Sequence, residues 1–244
     1  MRRLIGVLIL ALTTAPVWGQ QIPAGTLLPV MLDSTIGSDK SQPGEEIVAK
    51  LRQEVPLPDG AKIKRNSKVL GHIVAVSPAS GGQPAKISVQ FNNVEIGKQT
   101  VPVSVGLRAL ASMQLVARAK HPANATSGPG TSVWDLNMSQ IGGQIAFNGQ
   151  KSVKSPTGQV VGRVVEPGAV MGVPIANPAR GCAAPTDSTE QAFWIFSTNA
   201  CGLYDEKGMT FVSGIGGKTP GKIVLKSPKS VIIRGGSGLL LQVN

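Results

Sequence analysis

Two histidines, two cysteines and 4% aromatic residues leave this 244-residue chain with little of the usual equipment for catalysis. His72 stands between Gly71 and Ile73 in a strand-like run, His121 precedes Pro122, and no acidic residue lies at ligand spacing beside either. Metal centres gather several such donors, so neither a metal nor any other cofactor is expected. The same scarcity argues against a Ser-His-Asp hydrolase, and neither a G-x-S-x-G elbow nor an S-x-x-K pair occurs. Acid is also short, with 13 Asp and Glu against 24 Lys and Arg. The adjacent carboxylates Glu45-Glu46 and Asp205-Glu206 read as solvated turn residues, since adjacency does not set two carboxyls across a cleft. Helix formers are diluted by 30 glycines and 18 prolines, while Val and Ile recur in short runs. That composition favours strands and turns over long helices.

Arg2 and Arg3 precede the apolar run Leu4 to Leu12, Pro16 breaks it, and Val17-Trp18-Gly19 offers small residues where a signal peptidase reads. This is the order of a secretory signal over residues 1–20, with the mature chain starting near Gln20 or Gln21. The run is about half of what a bilayer-spanning helix needs. An uncleaved anchor is the alternative; the absence of cysteine near the cleavage point argues against a lipid anchor. Loss of Arg2 and Arg3 leaves 22 basic residues, and 22 minus 13 gives a net charge of +9. The expected location is the periplasm or the exterior of a bacterial cell, with no transmembrane helix after cleavage. A basic exported protein meets anionic envelope polymers or other envelope proteins. General basicity for solubility is the plainer reading of the charge, and no run of five like charges points to nucleic acid.

Cys182 and Cys201 are expected to form one disulfide, as a single pair in an exported chain does, with two free buried thiols as the alternative. In the chain-entropy picture such a link contributes roughly 3 kcal/mol. Between them lies the densest aromatic patch, Phe193-Trp194-Ile195-Phe196. Strand alternation would put Trp194 and Phe196 on one face, making them candidate ligand contacts able to stack on a sugar ring. Packing around the disulfide is the competing reading.

Along the chain, residues 21–117 read as a compact β module with strands at 26–32, 46–55, 67–77, 86–96 and 99–105. Pro29 suggests an edge position for the first strand. Residues 118–140 are small, polar and turn-rich and read as a flexible linker. Residues 141–244 form a second β-rich segment, with candidate strands at 144–147, 160–165, 192–196, 209–212, 222–225, 230–234 and 238–243. The fold class expected is all-β: a small N-terminal β-barrel plus a sandwich- or barrel-like segment closed by the disulfide. Ile22-Pro23-Ala24-Gly25-Thr26 and Ile63-Lys64-Arg65-Asn66-Ser67 form an internal echo. Each runs from an apolar residue, through one tolerant of positive φ, to Ser or Thr entering a strand. Gly214 to Thr219 ends like a phosphate loop, but Val212 stands where its first glycine belongs and Pro220 follows. Asn124-Ala125-Thr126 and Asn137-Met138-Ser139 have glycan-acceptor spacing.

Ile22-Pro23-Ala24-Gly25-Thr26, Ser38-Asp39, Pro43-Gly44 and Ser67-Lys68-Val69-Leu70-Gly71 together resemble the periplasmic β-barrel domain of the TrbI-like family, cap-forming components of conjugation and type IV secretion machines. The resemblance covers about a quarter of the chain, from Ile22 to about Val76, and implies the barrel. Lys64-Arg65-Asn66 replaces that family's Pro and Gly in the second motif, and no apolar stretch matches its outer-membrane helical hairpin. The C-terminal part resembles uncharacterised secreted bacterial proteins. The reading these features support is a non-enzymatic envelope protein that binds or scaffolds. The alternatives are a lectin-like, wall-polymer- or lipopolysaccharide-binding module using Trp194, and a hydrolase that leaves no motif.

Overall fold

One turn, used three times, sets where the strands begin. In the computed structural model, which describes residues 21–120, 137–147, 152–166, 168–175, 182 and 189–244, the echo has a third copy at Ile233-Arg234-Gly235-Gly236-Ser237. Thr26 N–H donates to Pro23 O, Ser67 N–H to Lys64 O and Ser237 N–H to Arg234 O, at 3.1–3.2 Å. The third position of each turn has positive φ, at Gly25 (84°), Asn66 (69°) and Gly236 (89°), as a type II turn requires. Each turn then clamps the end of a neighbouring strand with two reciprocal bonds. Gly25 N–H donates to Val243 O and receives Val243 N–H on Thr26 O; Asn66 and Ser67 do the same with Leu51, and Gly236 and Ser237 with Leu32. Ile22, Ile63 and Ile233 are buried beneath the turns as anchors.

The strands are β1 (Leu27–Leu32), β2 (Ile36–Gly37), β3 (Glu46–Leu51), β4 (Val55–Pro56), β5 (Lys62–Ile63), β6 (Lys68–Ser77), β7 (Ala85–Ile96), β8 (Gln99–Pro102) and β9 (Val105–Ala111), followed by helix α1 (Met113–Lys120). Then come β10 (Asn137–Ser139), β11 (Ile145–Phe147), β12 (Ser152–Lys154), β13 (Val160–Glu166), β14 (Ala169–Gly172) and β15 (Gln191–Ala192). The last are β16 (Gly202–Tyr204), β17 (Thr210–Val212), β18 (Ile223–Ser227), β19 (Ile232–Ile233) and β20 (Gly238–Val243). The all-β expectation holds, with one short helix among the described residues. Residues 1–20 and 121–136, which carry the expected leader, most of the expected linker, His121 and the Asn124 motif, lie outside the described residues.

Ten strands form a nearly closed barrel in the order β16-β9-β20-β1-β3-β6-β7-β18-β17, with β8 hairpinned onto β7. Its pairs are antiparallel except β16 on β9. The two ends meet where Leu107 N–H of β9 donates to Ser213 O just past β17 (2.6 Å). Gly106 makes that approach possible, because a Cβ there would sit 2.5 Å from the Ile215 nitrogen. Apolar side chains fill the interior and leave a void of about 10 Å³ among Leu32, Phe91, Leu225 and their neighbours, too small for a ligand.

Two expectations are corrected here. The boundary between residues 21–117 and 141–244 does not divide the sheet, since β16, β17, β18 and β20 come from the second segment and sit in the first barrel. Strand patterning shows local period, not which distant strand completes a ladder. Nor is β1 an edge strand; it lies between β20 and β3. Leu32 exchanges bonds with Gly236 and Ser237, so the backbone N–H and C=O groups of even-numbered β1 residues point to β20 and those of odd-numbered ones to β3. Register with β3 begins at Val30↔Leu51, so the missing N–H of Pro29 falls just past the end of β3, and its carbonyl still accepts from Arg52 N–H (3.0 Å).

A second sheet, the meander β10-β11-β12-β13-β14-β15, curls until its ends meet. Ile141 N–H donates to Ile195 O, and Ser197 N–H donates to Ile141 O, both at 2.8 Å. Its core residues Val153, Val170, Phe193, Ile195 and Phe196 share one cluster with Leu27, Ala109, Ala111 and Leu240 from the outer face of the barrel and Val116 of α1. The even-numbered side chains of β1 (Leu28, Val30, Leu32) belong to the barrel interior. Strands β1, β9 and β20 are therefore buried on both faces, which explains their near-continuous apolar sequences.

A fragment of residues 21–118 retains β1 without β20 and β7 without β18. It is expected to expose two sheet edges and to aggregate or stay unfolded, without a cooperative β-type transition in a circular-dichroism melt. Asn66→Gly should leave urea stability within about 0.5 kcal/mol, whereas Asn66→Val should lower it by more than about 1 kcal/mol, because a β-branched residue resists positive φ.

Candidate functional site: a cationic seam over a buried aromatic loop

The aromatic patch does not continue β15 as a strand. Phe193 N–H donates to Val170 O, Phe196 N–H turns back to Phe193 O (2.9 Å), and Trp194 takes a positive φ of 52°. A bulky residue rarely adopts that conformation, so the surroundings must impose it. Gln53, just past β3, does so from the barrel side: its Oε1 accepts Trp194 N–H (2.6 Å) and its Nε2 donates to Val170 O (3.1 Å). The Gln140 amide, oriented with nitrogen toward the loop, donates to Trp194 O (3.2 Å) and Phe196 O (2.7 Å). Gln144 accepts Thr198 N–H (2.7 Å) and donates to Thr198 Oγ1 (2.6 Å). A fourth buried amide, Gln191, accepts Leu27 N–H (2.9 Å) and ties β15 to β1.

Arg108 completes the frame. The β9–β20 register passes from Ala109↔Leu240 to Leu107↔Leu241, so Arg108 is the extra residue of a bulge. Its side chain is 0% exposed; Nε donates to Ala200 O (3.1 Å) and Nη2 to Thr198 O (2.9 Å), while Nη1 has no partner among the described residues. Burial pulls the guanidinium down to about 10, with Tyr204 opposing, so it stays charged at neutral pH. The expected Cys182–Cys201 disulfide is present, with Cα atoms 5.9 Å apart. The Tyr204 hydroxyl accepts Cys201 N–H (3.0 Å) and donates to Cys201 O (3.2 Å).

Trp194 is 4% exposed and Phe196 0%, packed edge to face at 6.3 Å. They are core residues, and in this conformation neither offers a surface to a sugar, which corrects their reading as ligand contacts. The reason is the turn: it takes all four aromatic-patch residues inward where a strand would have alternated them. What covers Trp194 is charge. Arg52 Cζ lies 5.9 Å and Lys120 Nζ 5.3 Å from its ring centroid, at distances that allow cation–π attraction. Lys120 Nζ also sits 3.8 Å from Met31 Sδ. Arg65, in the middle of the second turn, donates from Nη1 to both carboxylate oxygens of Glu166 of β13, at 3.1 and 3.0 Å.

Burial, then Arg65, pulls the Arg52 guanidinium below its ordinary value, with Glu166 and Asp33 opposing. Burial, then Arg52 and Arg65, pulls the Lys120 ammonium down. Asp33 is itself engaged by Lys50 (2.7 Å). Three cations thus share one seam between barrel and meander, where, among the described residues, Glu166 pairs with Arg65 and Asp33 is held by Lys50. The buried Nε of Arg52 has no partner among the described residues. Such a seam favours an anion.

Sequence reasoning missed Arg52, Arg65 and Lys120 because 68 positions of numbering separate the first from the last and no local pattern links them. The one signal was Lys64-Arg65-Asn66, the basic departure in the echoed turn. Glu45 caps its turn by accepting Gln42 N–H (3.0 Å). His72 lies half-buried in β6, and no group of three metal-binding side chains exists among the described residues. Residues 214–219 form a loop closed by Gly221 N–H on Gly214 O (2.8 Å), with β18 rather than a helix following. No protein-family model matches the chain, and a search of curated proteins finds no match either.

Gln53→Ala would leave Trp194 N–H unpaired in the core and take from Val170 C=O the second of its two donors, Phe193 N–H remaining. Urea unfolding should show a loss of about 2–4 kcal/mol, well beyond the effect of a surface Gln→Ala.

Proposed function

We propose that this protein is an exported, non-enzymatic binding module of the bacterial envelope whose seam holds an anionic group, phosphate or carboxylate, of an envelope polymer. The observation that carries the reading is the placing of Arg52 and Lys120 over Trp194 with Arg65, itself paired to Glu166, close enough to act on both. Bringing like charges together and partly desolvating them is unfavourable alone and is relieved when an anion enters. The Cys182–Cys201 link suits an oxidising compartment, and no described helix is long and apolar enough to cross a membrane. The leader pattern of residues 1–20 supports export. The resemblance of Ile22 to Val76 to the TrbI-like barrel supports a scaffolding context, with the barrel as frame and the seam as the binding surface. The filled barrel interior argues for action at the surface rather than within the barrel.

The test is binding of the mature chain to immobilised lipopolysaccharide, with inorganic phosphate as competitor. Arg52→Ala with Lys120→Ala should weaken binding by more than about tenfold and flatten its salt dependence. Lys98→Ala with Lys226→Ala removes the same net charge from exposed sites elsewhere and should weaken it far less. Equal losses in the two pairs would reduce the interaction to general basicity and remove the seam from it.

A further inference from the structure

At the opposite end of α1 from Lys120, a groove of about 330 Å³ opens between the helix start, the β16–β17 turn and the third of the repeated turns. Ser112, Asp205, Glu206, Lys207, Arg234 and Ser237 line it. Part of this is explained by the fold. The Ser112 hydroxyl accepts Leu115 N–H (3.1 Å) and donates to Asp205 Oδ2 (2.7 Å), capping a helix that has no acidic residue in its own first turn. The rest is not. Two carboxylates and two cations line one groove, yet no ion pair closes between them within 4 Å among the described residues, although five such pairs close elsewhere. Burial, then Asp205, pushes the Glu206 carboxyl up, with Arg234 opposing. Ser237 is 1% exposed, and its hydroxyl oxygen finds no hydrogen-bond partner among the described residues.

We propose that this groove binds a small zwitterion, its ammonium held by Asp205 and Glu206 and its carboxylate by Arg234, with the Ser237 hydroxyl supplying a polar contact at the wall. An ammonium brings three donors to a pair of acceptor-only carboxylates. A guanidinium presents a planar fork that matches a carboxylate. The volume is at the small end of ligand pockets and suits an amino acid or the ends of a short peptide. A lone amine would leave Arg234 unanswered, and a lone acid would meet the carboxylate pair.

The experiment is titration of the mature, disulfide-intact chain with alanine, dialanine, ethylamine and acetate, followed by amide chemical shifts. Alanine or dialanine should shift residues around 112–115, 205–207 and 234–237, and the stronger of the two identifies a free amino acid or a peptide as the source. Ethylamine and acetate should each bind at least about tenfold more weakly. Glu206→Gln and Arg234→Ala should each cost the zwitterion about tenfold or more, and Ser237→Ala several-fold, in proteins whose circular dichroism matches the parent. The Arg52→Ala, Lys120→Ala pair should leave zwitterion binding intact, which separates this groove from the seam. Any of three outcomes would overturn the proposal: no shift with alanine or dialanine up to about 50 mM, ethylamine or acetate binding as well as they do, or folded Glu206→Gln and Arg234→Ala proteins binding unchanged.

Discussion

Residues 193–200 turn too tightly to join a ladder, and their buried amides and carbonyls need partners. An unpaired buried backbone group costs about 1–3 kcal/mol, and where Ile141 and Val170 backbone do not reach, side chains take over the role of a neighbouring strand. Gln53 and Arg108 reach in from the barrel, Gln140 and Gln144 from the meander. The meander is thereby keyed to one position on the barrel. The apolar contact between Leu27, Ala109, Leu240 and the aromatic patch supplies area, but area is non-directional. The amides and the guanidinium select the orientation, as satisfied buried polar networks do. Arg108 reaches the loop because a bulge turns it out of the barrel, and the same strand depends on Gly106 for its contact with the loop after β17.

The repeated turn explains how a chain of short strands closes. Each copy ends one strand and starts another with the same pair of bonds, so strand ends are satisfied without long loops. The first and third copies act on each other's strands: the turn before β1 clamps the end of β20, and the turn before β20 clamps the end of β1. That reciprocity brings residues 25 and 243 together across most of the chain. Loop closure of this length grows in entropic cost only logarithmically, but it delays the contacts that reward it.

Helix α1 links the two surface features. Its eight residues span about 12 Å, from Ser112 at the groove to Lys120 at the seam. Asp205 supplies negative charge at its start and Arg118 and Lys120 supply positive charge at its end, both matching the helix dipole. The cation that covers Trp194 and the hydroxyl that lines the groove are thus fixed by one rigid element packed on the second core through Val116. With the barrel interior filled, the surfaces flanking this helix carry the cations over Trp194 at one end and the charged groove at the other.

The all-β class, most strand positions, the two turns of the echo and the pairing of Cys182 with Cys201 were legible in the sequence. Period-two alternation, glycine and asparagine tolerance of positive φ, and a lone cysteine pair in a chain with a leader pattern are local or compositional facts. The third turn, Ile233-Arg234-Gly235-Gly236-Ser237, carries the same local signal. The partners of those strands were not legible. Ile223–Ser227 and Gly238–Val243 complete a barrel begun two hundred residues earlier, and nothing in their own pattern names β7 or β1. Nor did alternation survive at Phe193 to Phe196, where hydrogen bonds from Gln53 and Gln140 impose a turn that buries both faces. Local sequence determined which segments extend and where they turn, because backbone sterics act over a few residues. Tertiary structure alone decided which segments meet, and so gathered Arg52, Arg65 and Lys120 in one place and Asp205, Arg234 and Ser237 in another, because charge and burial act through space rather than along the chain.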